Sequence, residues 1–224
     1  MAFISYPPIQ CQTGHPVDLY FFDLDNTLYA YNFRKRLPAL ATLTGVSQCQ
    51  LARKWWADGY EARAQTGEWP TADSYLDAFA ATTNTRRLSL DEWASARASA
   101  MTRIETRIEA LRRAAALGTV ALLSNNPAAT GAALPTLIPD VLEIVGSNIL
   151  LSYQLGARKP DAELYERALA HFGVRADSAF LADDSAANVA GARAVGIRVH
   201  RVAPVDSVAE TEALRAAIEE FAAR

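Results

Sequence analysis

Cysteine is scarce in this chain of 224 residues, with only Cys11 and Cys49. Two thiols so far apart support neither a disulfide framework nor a zinc site, and free thiols suit a reducing, cytoplasmic compartment. Histidine is nearly as rare. His15, His171 and His200 are scattered without metal-ligand spacing and read as structural or solvated side chains. No apolar run approaches the ~20 residues that a membrane-spanning helix needs, and no secretory signal pattern opens the sequence. A basic excess is missing too. The 22 Lys and Arg fall short of the 25 Asp and Glu, for a formal net charge of -3, which lacks the electrostatic footprint of a protein that binds nucleic acid polymers. Internal repeats and low-complexity segments are absent.

What remains is an ordinary globular composition, half hydrophobic and 21% charged, in a length suited to one or two domains. Residues 1–16, with Pro7, Pro8, Gly14 and Pro16, read as a loose leader. Val17 to Phe22 is a short β-branched and aromatic run that predicts a buried strand. From 33 to 104 the texture becomes helical. Leu51, Trp55 and Trp56 recur at helical spacing, as do Tyr75, Leu76 and Phe79, and then Leu90, Trp93 and Arg97. Breaks are expected near Gly67–Pro70 and Thr82–Asn84, and the tryptophans are expected in the core. Tyr29, Tyr31 and Phe33 stand where this block begins, followed by Arg34, Lys35 and Arg36, a basic helix start that is either solvated or attractive to an anion.

Beyond 104 the rhythm alternates. A helix through Leu111 stops near Gly118, where a left-handed glycine is expected. Strands are predicted at Thr119–Leu123, Val141–Val145, Ala179–Ala182 and Ile197–Val199. Helices are predicted toward Leu134, from Lys159-Pro160-Asp161 to Gly173, and up to Val195. After Asp206, Leu214, Ala217, Ile218 and Phe221 define an amphipathic helix that covers the sheet. Alternation of this kind predicts an α/β fold with a doubly wound, Rossmann-like parallel sheet, the helical block being an insertion.

The polar residues cluster at strand ends. Asp23 and Asp25 close the first strand, Ser124 and Asn125 the second, and Asp183 and Asp184 a later one, while Lys159 precedes a helix. Carboxyl ends of neighbouring parallel strands face one crevice. Carboxylates gathered there repel one another unless a cation neutralises them, and hard oxygen donors suit Mg²⁺. Phosphoryl transfer uses such a cation, positive charge on the phosphoryl oxygens and an in-line nucleophile, and an aspartate can be that nucleophile.

These motifs, in this order, resemble the haloacid dehalogenase (HAD) superfamily of phosphatases over residues 17–202. Asp23-Leu24-Asp25-Asn26-Thr27 is similar to its first motif, which implies Asp23 as nucleophile and Asp25 as acid/base. Leu122-Leu123-Ser124-Asn125 resembles the second, and Arg158-Lys159-Pro160 the third; together they imply that Ser124, Asn125 and Lys159 hold the phosphoryl group. Asp183-Asp184-Ser185-Ala186-Ala187-Asn188 resembles the fourth, with Asp183 in place of the commoner glycine and Asn188 where many members carry a second acid. The implied metal set is Asp23, Asp25 and Asp184, with Asp183 as second choice and Asn188 acting indirectly.

The resemblance also implies a core of residues 17–32 and 105–224 and a helical cap of residues 33–104 between the first and second motifs. Its branch is similar to the pyrimidine 5′-nucleotidases. The expected activity is therefore Mg²⁺-dependent hydrolysis of a small soluble phosphomonoester through an aspartyl-phosphate, a nucleoside 5′-monophosphate first. Sugar phosphates, phosphoglycolate and a phosphomutase reaction are the alternatives. A dehalogenase would not need Asp25. A phospho-acceptor signalling domain, as in two-component receivers, would place the acidic pair before the phosphorylated aspartate and leave no place for the insertion.

Overall fold

The computed structural model describes residues 18–203 and 207–224. The leader expected over 1–16, with Cys11 and His15, and the first residue of the expected strand, Val17, lie outside them. Strand β1 (Leu19–Phe22) is followed by a short β2 (Tyr29–Tyr31). Five helices come next: α1 (Phe33–Thr44), α2 (Gln48–Leu51), α3 (Tyr60–Gln65), α4 (Ala72–Thr83) and α5 (Leu90–Ala98). A π-helical turn, Ala52–Ala57, links α2 to α3. The chain returns through β3 (Met101–Arg103) to α6 (Glu105–Ala115), β4 (Thr119–Ser124), α7 (Ala128–Leu137) and α8 (Pro139–Val145). Next are β5 (Ile149–Leu151), α9 (Ser152–Leu155), α10 (Ala162–Phe172) and β6 (Ala179–Asp183). Last are α11 (Ala186–Val195), β7 (Arg198–Arg201) and α12 (Val208–Ala222).

Five strands form one parallel sheet in the order β5-β4-β1-β6-β7. Helices cover both faces, so β1 is buried throughout and can be apolar without alternation. Its register sets the site. Phe22 is level with Leu122 on one side and Ala182 on the other. Asp23 and Asp183 therefore leave the sheet side by side, with Ser124 on the adjoining strand. Among the described residues no single helix is long and apolar enough to cross a membrane.

The helical block α1–α5 is tied to the sheet at one point. There β2 and β3 pair antiparallel, Tyr29 opposite Arg103 and Tyr31 opposite Met101, so the chain leaves and re-enters at the same place. Local sequence delimits the helices. Asn32, Ser47, Thr71 and Ser89 accept hydrogen bonds at helix starts, and Thr71/Ser74 and Ser89/Glu92 close reciprocal capping boxes. Asn84 ends α4 in the left-handed region, at φ 57°. Trp55 sits among the rings of Tyr60, Trp69, Tyr75 and Phe79, and its indole N–H donates to Glu61 at 2.5 Å. Trp93 is as buried as Trp55, whereas Trp56 is half-buried against Phe33. One apolar cluster runs unbroken from Leu51 and Phe79 in the block to Leu134, Ile138 and Phe22 beneath the sheet.

Three expectations need correction. The apolar run Val141–Val145 is a helix, not a strand. Pro139 at its first position and Asp140 in its first turn are helix-start signals, and the strand comes later, at Ile149–Leu151. Gly118 is not a left-handed stop, being absent from the positive-φ glycines. It is small because a Cβ would collide with the Asp18 carbonyl. Arg36 is no solvated helix start: unlike exposed Arg34 and Lys35, it is buried.

Candidate active site

Lys159 organises the crevice. Its Nζ donates to Asp23 Oδ1 at 2.8 Å, to Asp183 Oδ2 at 2.6 Å and to the Leu123 carbonyl at 2.7 Å, with the side chain 1% exposed. An ammonium with three acceptors is fully satisfied, which is what permits its burial. Asn125 fixes the main chain of this lysine from both sides, its Nδ2 donating to the Lys159 carbonyl at 2.8 Å and its Oδ1 accepting from the Lys159 N–H at 2.9 Å. The Asn125 side chain is thereby committed to the lysine loop. Ser124 Oγ, at the end of β4, accepts from Asn126 Nδ2 at 2.9 Å. Behind the loop, α11 approaches so closely that a Cβ on Gly191 would collide with the Pro160 carbonyl.

Asp183 is fully buried and uses both oxygens. Oδ1 accepts from the Ser185 N–H at 2.9 Å, and Asn188 Nδ2 donates to Oδ1 and Oδ2 at 3.0 and 3.1 Å. Asp184, half-buried, has no such retinue. Asp23, Asp183 and Asp184 each offer one oxygen, all within 4.8 Å of one another. Three hard donors at that spacing can hold a divalent cation. Asp25 lies outside this trio. Arg97 Nη2, from α5, donates to both its oxygens at 2.9 and 2.7 Å.

The electrostatics follow from burial. Desolvation pushes Asp23 up to about 7, with neighbouring Asp183 and Asp25 adding to it and Lys159 opposing. Burial and Asp183 raise Asp184 as well. Burial works against the charged form of Lys159, but the two carboxylates outweigh it, and the ammonium is held above its ordinary range.

These directions give a pH prediction. Folded Asp23 holds its proton more tightly than an unfolded aspartate does, so the fold loses stability as pH rises from about 4 to about 7 and loses no more beyond. The loss is ~4 kcal/mol at most, taking 1.36 kcal/mol per unit. Denaturation of chelator-treated wild type and Asp23→Asn across this window isolates the effect. A difference between them that does not change with pH would contradict it.

The main chain beyond Asp23 is braced. The Asp23 N–H donates to the Ala182 carbonyl at 3.0 Å, and Asn26 adopts φ 60° while its Oδ1 receives the Tyr31 N–H at 3.0 Å. Buried Arg107 donates to the carbonyls of Asn26 and Ala203 at 2.7 and 2.6 Å.

The haloacid dehalogenase-like hydrolase family matches residues 17–196. The chain belongs to that family. No curated protein sequence matches the hydrolase. Among solved structures, it is similar to a HAD family enzyme from Bacteroides thetaiotaomicron, crystallised with magnesium and inorganic phosphate. The TM-score is 0.70 at 17% identity, over 86% of this chain and 97% of that one. A HAD-like hydrolase from Porphyromonas gingivalis superposes with TM-score 0.72 at 17% identity, over 90% and 99%. A dehalogenase crystallised as an intermediate complex is more distant, at 0.56 and 20%, over 85% and 86%. At these identities the likeness is one of fold.

Several functional contacts of the hydrolase were not legible as motifs. Arg97 carried a usable signal, since a charged residue sits in the otherwise apolar stripe of Leu90 and Trp93 and so calls for a buried partner. Arg107, likewise on a buried helix face, carried the same one. Asn126 and Ser152, joined by a 3.1 Å hydrogen bond, carried none.

Proposed function

We propose that the hydrolase is a phosphomonoesterase for a small soluble metabolite, working through an aspartyl-phosphate on Asp23. The observation that carries this reading is Lys159 bridging Asp23 and Asp183 beside Asp184. A buried cation next to a nucleophilic carboxylate and two more acids is suited to neutralising a phosphoryl group in flight. Asp23 attacks phosphorus as the bond to the leaving oxygen breaks, and Asp25 gives that oxygen its proton. Asp25 then takes a proton from water as the water displaces phosphate and restores the Asp23 carboxylate. Ser124 Oγ, Lys159 Nζ and main-chain N–H groups, including that of Asn125, hold the phosphoryl oxygens.

The oxygen trio of Asp23, Asp183 and Asp184 fits Mg²⁺, with Asp184 the favoured ligand because Asp183 already serves Lys159, Ser185 and Asn188. Bound there, Mg²⁺ supplies charge neutralisation at the phosphoryl oxygens. In this reading Asp25 acts as acid/base rather than as a side-chain ligand. Asp184→Asn is expected to abolish Mg²⁺ activation and the rise in melting temperature on adding Mg²⁺. Asp183→Asn is expected to keep both, with activity down about 10–100-fold, the usual scale for groups that orient a ligand. Equal losses in thermal shift would reverse the assignment.

The block α1–α5 serves in this proposal as the cap, residues 33–104 closing over a core of 17–32 and 105–224. Its position fits: Asp23 and Ser124 are 7% and 2% exposed, and a lid that excludes water also excludes bulky leaving groups. The resemblance favours nucleoside 5′-monophosphates, with sugar phosphates, phosphoglycolate and phosphomutase chemistry behind. The hinge aromatics do not select among them, since Tyr29 donates to Asp140 at 2.5 Å and Phe33 packs on Trp56. A screen of phosphomonoesters with Mg²⁺ tests the proposal. Small esters should be hydrolysed and a phosphopeptide refused; no turnover of any ester, or preference for the peptide, would overturn it.

A further inference from the structure

Arg97 occupies Asp25 in a way that stops Asp25 from acting. Its Nη2 donates to both carboxylate oxygens, so neither is free to face a leaving group. The arginine comes from the inserted block and is 3% exposed. It lies over the ring of Tyr31, 5.0 Å from the centroid. Tyr31 in turn accepts from a second buried guanidinium, Arg36 Nη1, at 3.0 Å. Arg36 stacks over Trp93 at 4.7 Å, one helical turn from Arg97. No carboxylate is hydrogen-bonded to Arg36. Glu61 acts on it only at longer range, being bonded to Trp55 and Tyr75. Arg36 Nε and Nη2 and Arg97 Nε are buried donors without an acceptor. Nature rarely leaves such donors unmatched unless a ligand completes them.

Resting on the phosphomonoesterase reading, we infer that Arg97, with Arg36 behind it, reads a second anionic group on the leaving part of the substrate. A carboxylate or phosphate there takes Arg97 from Asp25 and frees the acid to protonate the leaving oxygen. A neutral leaving group leaves Arg97 on Asp25, and turnover is slow. Substrates with an anionic leaving part are thus preferred over neutral ones, nucleosides included.

The test compares near-isosteric esters, 2-phosphoglycolate against 2-hydroxyethyl phosphate and 3-phosphoglycerate against glycerol 3-phosphate. Wild type should favour the anionic member of each pair in kcat/KM by about 10–100-fold, the scale of one charge-assisted hydrogen-bonded pair. Arg97→Gln should cross the two classes over, slowing the anionic esters and speeding the neutral ones. If Arg97 only positions Asp25, both classes fall in proportion and the inference is overturned. Should Arg97→Gln not fold, the wild-type pairs decide alone, and no preference between members overturns it. Failure of wild type on every ester, p-nitrophenyl phosphate included, would instead remove the phosphomonoesterase reading beneath.

Discussion

Asp23→Asn is expected to lose turnover by more than about 10³-fold while remaining folded. An amide is nearly the same shape, and its oxygen can still accept from Lys159 Nζ, now 2.8 Å from Asp23 Oδ1. What disappears is the nucleophile. The protein should not weaken, because burial and two neighbouring acids oppose the Asp23 charge, and the variant removes that charge. Turnover of a phosphomonoester alongside a thermal melt separates the two outcomes. Retention of more than a few per cent of the activity would mean that another group attacks phosphorus.

Lys159→Met should fail in the opposite way, losing both activity and stability. Methionine has similar length and fills the space, but it leaves the Leu123 carbonyl, Asp23 and wholly buried Asp183 without their shared donor. Breaking a buried ion pair from one side typically costs about 3–5 kcal/mol, because the remaining charge is stranded. The loss should shrink at low pH, where the stranded acids can take up protons. Urea midpoints at pH 5 and pH 8 measure both points. A midpoint equal to that of wild type at pH 8 would show that Lys159 contributes no net stability.

Much of the architecture was legible because each strand ends in residues that an apolar strand has no reason to carry. Asp23, Ser124 and Asp183 mark the ends of β1, β4 and β6, and the register brings those ends level. The misread stretch, Val141–Val145, was ambiguous in a physical sense. Its apolar residues fall at both helical and continuous-strand spacing, and only Pro139-Asp140 broke the tie. The true strand, Ile149–Leu151, spans three residues and shows no period. The pairing of β2 with β3 was invisible for another reason: it joins segments some seventy residues apart, and no local preference encodes it. The same holds for Arg97, whose partner Asp25 lies 72 positions away. Sequence placed each group on its element, whereas the distances between groups belong to the packing.

The central position of β1 bears on how the enzyme fails when heated. Each of Leu19 to Phe22 is flanked by β4 on one side and β6 on the other. The amides of such a strand cannot exchange with solvent by fraying at an edge; they open only when the whole sheet comes apart. The nucleophile is thus attached to the last part of the molecule to yield, and the helical block hangs from one short pair of strands. Inactivation by mild heat would then begin with the block, in a protein whose catalytic aspartate is still held by an intact sheet.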